Sequence, residues 1–99
     1  MHGNSQRRTS EDAQSLRRLG GSWLRSSREA VGLSQRQLAE RVGAEYYTFI
    51  SQLESGRGRV PPERYIDWAH ALEVPPKMFV QEILRYYDPS TFEILFSPE

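Results

Sequence analysis

The sequence predicts an all-α fold, a compact bundle of five short helices with a disordered N-terminal arm and a short apolar C-terminal tail. Three observations predict it. Between residues 22 and 87 apolar side chains recur at three- and four-residue spacing. Each periodic run is closed by a glycine or opened by a proline pair. The connections between runs are only a few residues long, which holds successive helices against one another.

The front of the chain, residues 1–20, is rich in Ser, Arg and Gln, and Gly20-Gly21 closes it. It reads as a flexible arm with a frayed helix around Asp12–Leu19. The first bundle helix is then Ser22–Ala30, with Leu24 inward and Gly32 beyond its end. The second is the best marked. Ser34 is an N-cap, and Gln37 three residues on completes the S-x-x-Q capping box. Leu38, Ala39 and Val42 follow at helical spacing, and Gly43 stops the helix at a sharp turn.

A third helix is expected over Tyr46–Ser55, with Ile50 and Leu53 inward and Gly56 ending it. The loop Arg57-Gly58-Arg59-Val60 is basic. Pro61-Pro62 opens a fourth helix whose apolar stripe is Tyr65, Trp68, Ala69 and Leu72. Pro75-Pro76 opens a fifth, with Phe79 and Ile83 inward, and Asp88-Pro89 ends it. The alternating apolar run Thr91–Phe96 fits a short strand. The resulting organisation is an arm over 1–20, one domain over 21–88 and a tail over 89–99, the tail being a candidate dimerisation element.

A length of 99 residues suits one small domain. The absence of cysteine excludes disulfides and thiolate metal sites and suits a reducing cytoplasm. No apolar run is long enough to span a membrane, and the N-terminus lacks the apolar stretch of a signal peptide. The formal net charge is zero, but it is unevenly spread: +2 over residues 1–24, +2 over 25–64 and −4 over 65–99. That distribution suits a molecule with one polyanion-facing side and an acidic back.

Two helices joined at Gly43 form a candidate helix-turn-helix, in which the first helix braces the second and the second lays its outer face in a major groove. Small Ala39 allows close approach, and Ile50 and Leu53 clamp the second helix to the core. Tyr46, Tyr47, Thr48, Ser51, Gln52 and Ser55 then face outward. Gln can bond an adenine edge bidentately, and Ser and Thr hydroxyls serve bases or phosphates. Tyr packs on a thymine methyl or bonds a phosphate. Gln35 sits at a helix N-terminus, where exposed N–H groups attract phosphate. Arg57 follows the reading helix and suits a phosphate contact, whereas Arg36 and Arg41 read as surface charges.

Three runs carry a family resemblance. They are Gly32-Leu33-Ser34-Gln35-Arg36-Gln37-Leu38-Ala39-Glu40-Arg41-Val42-Gly43, then Ile50-Ser51-Gln52-Leu53-Glu54-Ser55-Gly56, and Trp68-Ala69-His70-Ala71-Leu72-Glu73-Val74. Together they resemble the phage repressors and Cro and the related bacterial XRE-type regulators over residues 22–84. The resemblance implies a five-helix fold and operator binding, usually by a dimer. It implies that Gln35 anchors a phosphate and supports base reading, and that Tyr47, Thr48 and Gln52 face bases. It makes Ser55 and Arg57 backbone contacts, and Arg28 and Glu54 a structural ion pair. The sequence departs from the family in one respect. Between Gly43 and Glu54 it has one residue more than the usual spacing, which either lengthens the turn at Ala44–Tyr46 or shifts the start of the third helix.

The reading that follows is a sequence-specific regulator, a repressor, that binds double-stranded DNA at a palindromic operator as a homodimer in the cytoplasm. No cofactor, metal or small-molecule ligand is implied. His2 and His70 have no metal-spaced partner, and no phosphate-binding glycine loop follows a strand, so no catalytic residue is assigned. The competing reading is a protein-binding module of the same fold, such as an antitoxin or adaptor, which the neutral charge and the aromatic start of the third helix keep open. Phe79, Ile83, Leu84, Tyr86, Tyr87, Phe92, Ile94, Leu95 and Phe96 give the end of the chain more apolar surface than one small domain needs. A dimer interface would use that surplus, and so would a tail folded back on its own core.

Overall fold

A polar stretch rich in Ser and Arg forms the first half of the longest helix. The computed structural model describes residues 10–98, and its first element is α1, Ser10–Ala30. The expected arm is thereby corrected from Ser10 onward; the rest of it, with His2, lies outside the described residues. Two signals in the sequence account for the helix. Glu11 and Asp12 occupy its first turn, where carboxylates complement the helix dipole. Leu16 and Trp23 then continue the inward stripe of Leu24 at helical spacing, and all three are shielded from solvent to some degree.

Gly20-Gly21 is a packing device inside α1, where the sequence alone suggested a boundary. A Cβ on Gly21 would lie 2.3 Å from the Glu54 carbonyl oxygen, and one on Gly20 would lie 2.8 Å from Tyr86 Cβ. Both glycines are buried. They let the α1 backbone lie directly on its neighbours, an approach that any side chain would prevent.

The remaining helices are α2 (Gln35–Val42), α3 (Thr48–Glu54), α4 (Tyr65–Ala71, preceded by a 3₁₀ turn at Pro62–Arg64), α5 (Pro76–Tyr87) and α6 (Pro89–Phe96). There are six α-helices among the described residues, against the five expected, and no strand among them. The correction falls at the tail. Asp88-Pro89 ends α5, but the Asp88 carboxylate also caps α6, accepting the Thr91 N–H at 3.3 Å and the Thr91 hydroxyl at 2.7 Å. Proline at the first position suits a helix start. An N-cap followed by proline outweighs the short apolar alternation that suggested a strand.

Fifteen apolar residues form one core, among them Leu24, Leu38, Ile50, Leu53, Trp68, Leu72, Phe79 and Ile83. Helix α1 packs on α3 and α5, α2 on α3 and α4, and α4 on α5. Trp23 and Tyr65 flank Phe79, with ring centroids 5.6 and 5.9 Å from it. Trp68 is fully buried, while Trp23 and Tyr65 pack on the core from its edge. The Arg64 guanidinium donates to the Val42 carbonyl at the end of α2, which ties the 3₁₀ turn to the brace.

Candidate nucleic-acid interface

The brace helix α2 starts and stops on its own residues. The Ser34 hydroxyl accepts the Gln37 N–H at 3.1 Å, and the Gln37 side chain accepts the Ser34 N–H at 2.8 Å. Gly43 closes the helix in the left-handed region, φ 71° and ψ 27°, as the sharp turn requires. Leu38, Ala39 and Val42 are buried against the core.

Helix α3 begins at Thr48, two residues after the expected Tyr46, with Tyr47 as its N-cap and Ser55 as its C-cap. Tyr46 therefore lies in the turn between Gly43 and Thr48 and not on α3. Tyr46 is 66% exposed and borders a shallow apolar hollow with Phe49, Pro61 and Trp68. Tyr47 is 42% exposed, and the Arg36 guanidinium lies 4.5 Å above its ring. The sequence alone presents Arg36 as a surface charge; the stacking places it beside the start of α3.

One outer face of α3 carries Thr48, Ser51, Gln52 and Ser55, all exposed, at the three- and four-residue steps that align side chains along a helix. Ile50 and Leu53, on the opposite face, are buried. The Ser55 hydroxyl donates to the Gln52 carbonyl at 3.0 Å, which ties off the end of the helix. The Arg57 N–H also bonds that carbonyl, at 2.8 Å, while the Arg57 side chain is exposed. Its neighbour Arg59 is spent on the scaffold. It donates to the Tyr87 carbonyl at 2.9 Å and sits 5.1 Å from that ring.

The two helices are locked by one carboxylate. Glu54 receives Arg28 Nε at 2.6 Å and Nη2 at 3.1 Å, a bidentate pair whose side chains are 10% and 5% exposed. The hydrogen bond to Glu54 raises the Arg28 pKa above its ordinary value, against the opposing effect of burial. Arg28 Nη1 bonds the Leu33 carbonyl at 2.7 Å, and Gln35 Nε2 bonds Glu54 at 3.0 Å. Helices α1, α2 and α3 thus meet at Glu54. Gln35, half-buried, is fixed beside α3 with a second amide hydrogen to offer.

The structure therefore places Thr48, Ser51, Gln52 and Ser55 on the exposed face of α3, Tyr47 and Arg57 just before and after it, Gln35 hydrogen-bonded to Glu54 of the same helix, and Tyr46 in the preceding turn. No group of three metal-ligating side chains occurs among the described residues, and none of their helices is long and apolar enough to cross a membrane. The arrangement offers amides, hydroxyls and guanidinium groups on a rigid helix pair, which is chemistry for binding a polar surface. A family model described as Helix-turn-helix matches residues 24–79, more than half of the chain. No curated protein matches it.

Proposed function

The chain belongs to the helix-turn-helix family of DNA-binding regulators, of the XRE and Cro type, and from that premise we propose that it is a cytoplasmic repressor binding a two-fold symmetric operator as a homodimer. The observation that carries the reading is the exposed row Thr48, Ser51, Gln52 and Ser55 on a helix whose other face is clamped by Ile50 and Leu53. In this reading α3 enters the major groove. Gln52 reads an adenine edge, Thr48 and Ser51 reach bases or phosphates, and Tyr47 packs against a thymine methyl. Gln35 and the N-terminus of α2 hold a phosphate on one side, and Ser55 and Arg57 hold the backbone on the other. Tyr46, at the margin, meets the backbone through its hydroxyl.

A mobility-shift titration on the DNA upstream of its own gene tests this. The wild type retards that duplex in preference to an unrelated one, and Gln52→Ala removes about 1–3 kcal/mol of the preference. A folded wild type without sequence preference at low salt, co-purifying with a stoichiometric protein partner, would favour the antitoxin or adaptor reading instead.

A further inference from the structure

The match to the family begins at residue 24, yet α1 begins at Ser10. The preceding turns of α1 are an addition to the matched segment, and they are held in a defined place. The Gly21 contact seats them against the end of α3. Gly56, at φ 85°, has space for no Cβ, since one would lie 2.9 Å from the Arg18 nitrogen and 3.0 Å from the Arg17 carbonyl carbon. Between this part of α1 and the loop after α3 lies a hollow lined by Gln14, Arg17, Arg18, Ser55 and Arg57. Three arginines line it, and no carboxylate does among the described residues. The Arg17 guanidinium lies 5.6 Å from the centroid of the Tyr87 ring, and the Arg18 side chain donates to the Ser15 hydroxyl at 3.3 Å. The hollow runs on from the reading face, since Ser55 and Arg57 belong to both.

We propose that this hollow is a phosphate-binding site, in which Arg17 and Arg18 extend the DNA footprint past the end of α3 along the duplex backbone. The inference rests on the DNA-binding reading and adds to it a contact supplied by the N-terminal extension of α1. Three arginines around one hollow, with the Ser55 hydroxyl and the Gln14 amide beside them, fit a phosphodiester, for which arginine is the preferred donor. The close glycine contacts fix the backbone of the hollow before any ligand arrives, which leaves only its side chains to be ordered on binding.

The test is a salt series with the full-length chain on two duplexes, the DNA upstream of its own gene and a random-sequence duplex. Each neutralised phosphate contributes about 0.9 to the slope of log affinity against log salt. Arg18→Ala should lower the slope by about one, and the double variant Arg17→Ala/Arg18→Ala by about two, with the same fold-loss on both duplexes. Lys77→Ala, an equal charge change at the start of α5, is the control and should leave the slope unchanged. Arg17 packs on Tyr87, so the double variant is checked by thermal melting. Arg18→Ala, whose side chain is exposed, decides the matter if the double variant unfolds. A slope for Arg18→Ala equal to wild type, with wild type still binding, overturns the inference and leaves the DNA reading standing. A loss confined to the upstream duplex makes Arg18 a base reader and also overturns it. A wild type that binds neither duplex overturns the DNA reading itself.

Discussion

Glu54 is the side chain on which three helices converge, and it carries the sharpest consequences at the residue scale. Its carboxylate answers a buried guanidinium and the Gln35 amide at once. Removing it leaves Arg28 charged, buried and unpaired, a loss of about 3–5 kcal/mol. Glu54→Ala should therefore lower the urea midpoint by that equivalent, and any folded fraction should bind DNA more weakly because Gln35 is released. A variant as stable as wild type would mean that water replaces the carboxylate. The pair was readable in the sequence only through resemblance, since residues 26 apart in the chain carry no local sign of contact. Ser34, Gln37 and Gly43 were readable directly, because caps act over three or four residues.

At the scale of elements, α1 shows what local pattern cannot see. Glycine is normally a poor helix residue, and replacing it with alanine in a helix interior gains about 0.5–1 kcal/mol. Gly21 should behave in the opposite way, because the added methyl meets the Glu54 carbonyl. Gly21→Ala should destabilise the protein in chemical denaturation; a gain in stability would show that α1 can lift away from α3 without cost. Local propensity identifies these glycines as breakers because the groups that require them, the Tyr86 side chain and the Leu53–Glu54 backbone, lie more than 30 residues away. The Arg17–Arg18 hollow was hidden for the same reason: treating residues 1–20 as an arm left those arginines without a place.

Helix α6 was missed differently. Its alternating apolar residues fit a strand, and only the Asp88-Pro89 start favours a helix. The cap itself is testable by pH. Hydrogen bonds from Thr91 hold the Asp88 carboxyl below its ordinary value. A carboxylate lowered in the folded state contributes its stability above the ordinary carboxylate range and loses it as pH falls through the lowered folded value. Asp88→Ala should thus lower the melting temperature at neutral pH, and its gap from wild type should close in acid. A gap independent of pH would show that the side chain acts by packing rather than as a charged cap.

For the whole molecule, the apolar surplus of the C-terminal region divides in two. Phe79, Ile83 and Tyr87 are buried in the core, while Ile94, Leu95 and Phe96 on α6 are 79%, 60% and 41% exposed. A second copy of the chain is the proposed cover for that exposed row. Deleting residues 90–99 should halve the mass measured in solution by sedimentation; a truncated protein that stays dimeric places the interface elsewhere. The charge distribution is organised on the same scale. The arginines of α1, α2 and the loop after α3 lie in the two basic segments, and residues 65–99 carry the acidic excess.

The most direct test of the central claim, that the exposed face of α3 reads DNA sequence, is in vitro selection from a pool of random duplexes. The wild type should enrich a motif of two symmetric half-sites about one helical turn apart, and Gln52→Ala should relax one position in each half. A folded wild type that enriches no motif, or a Gln52→Ala protein that enriches the wild-type motif unchanged, would contradict it.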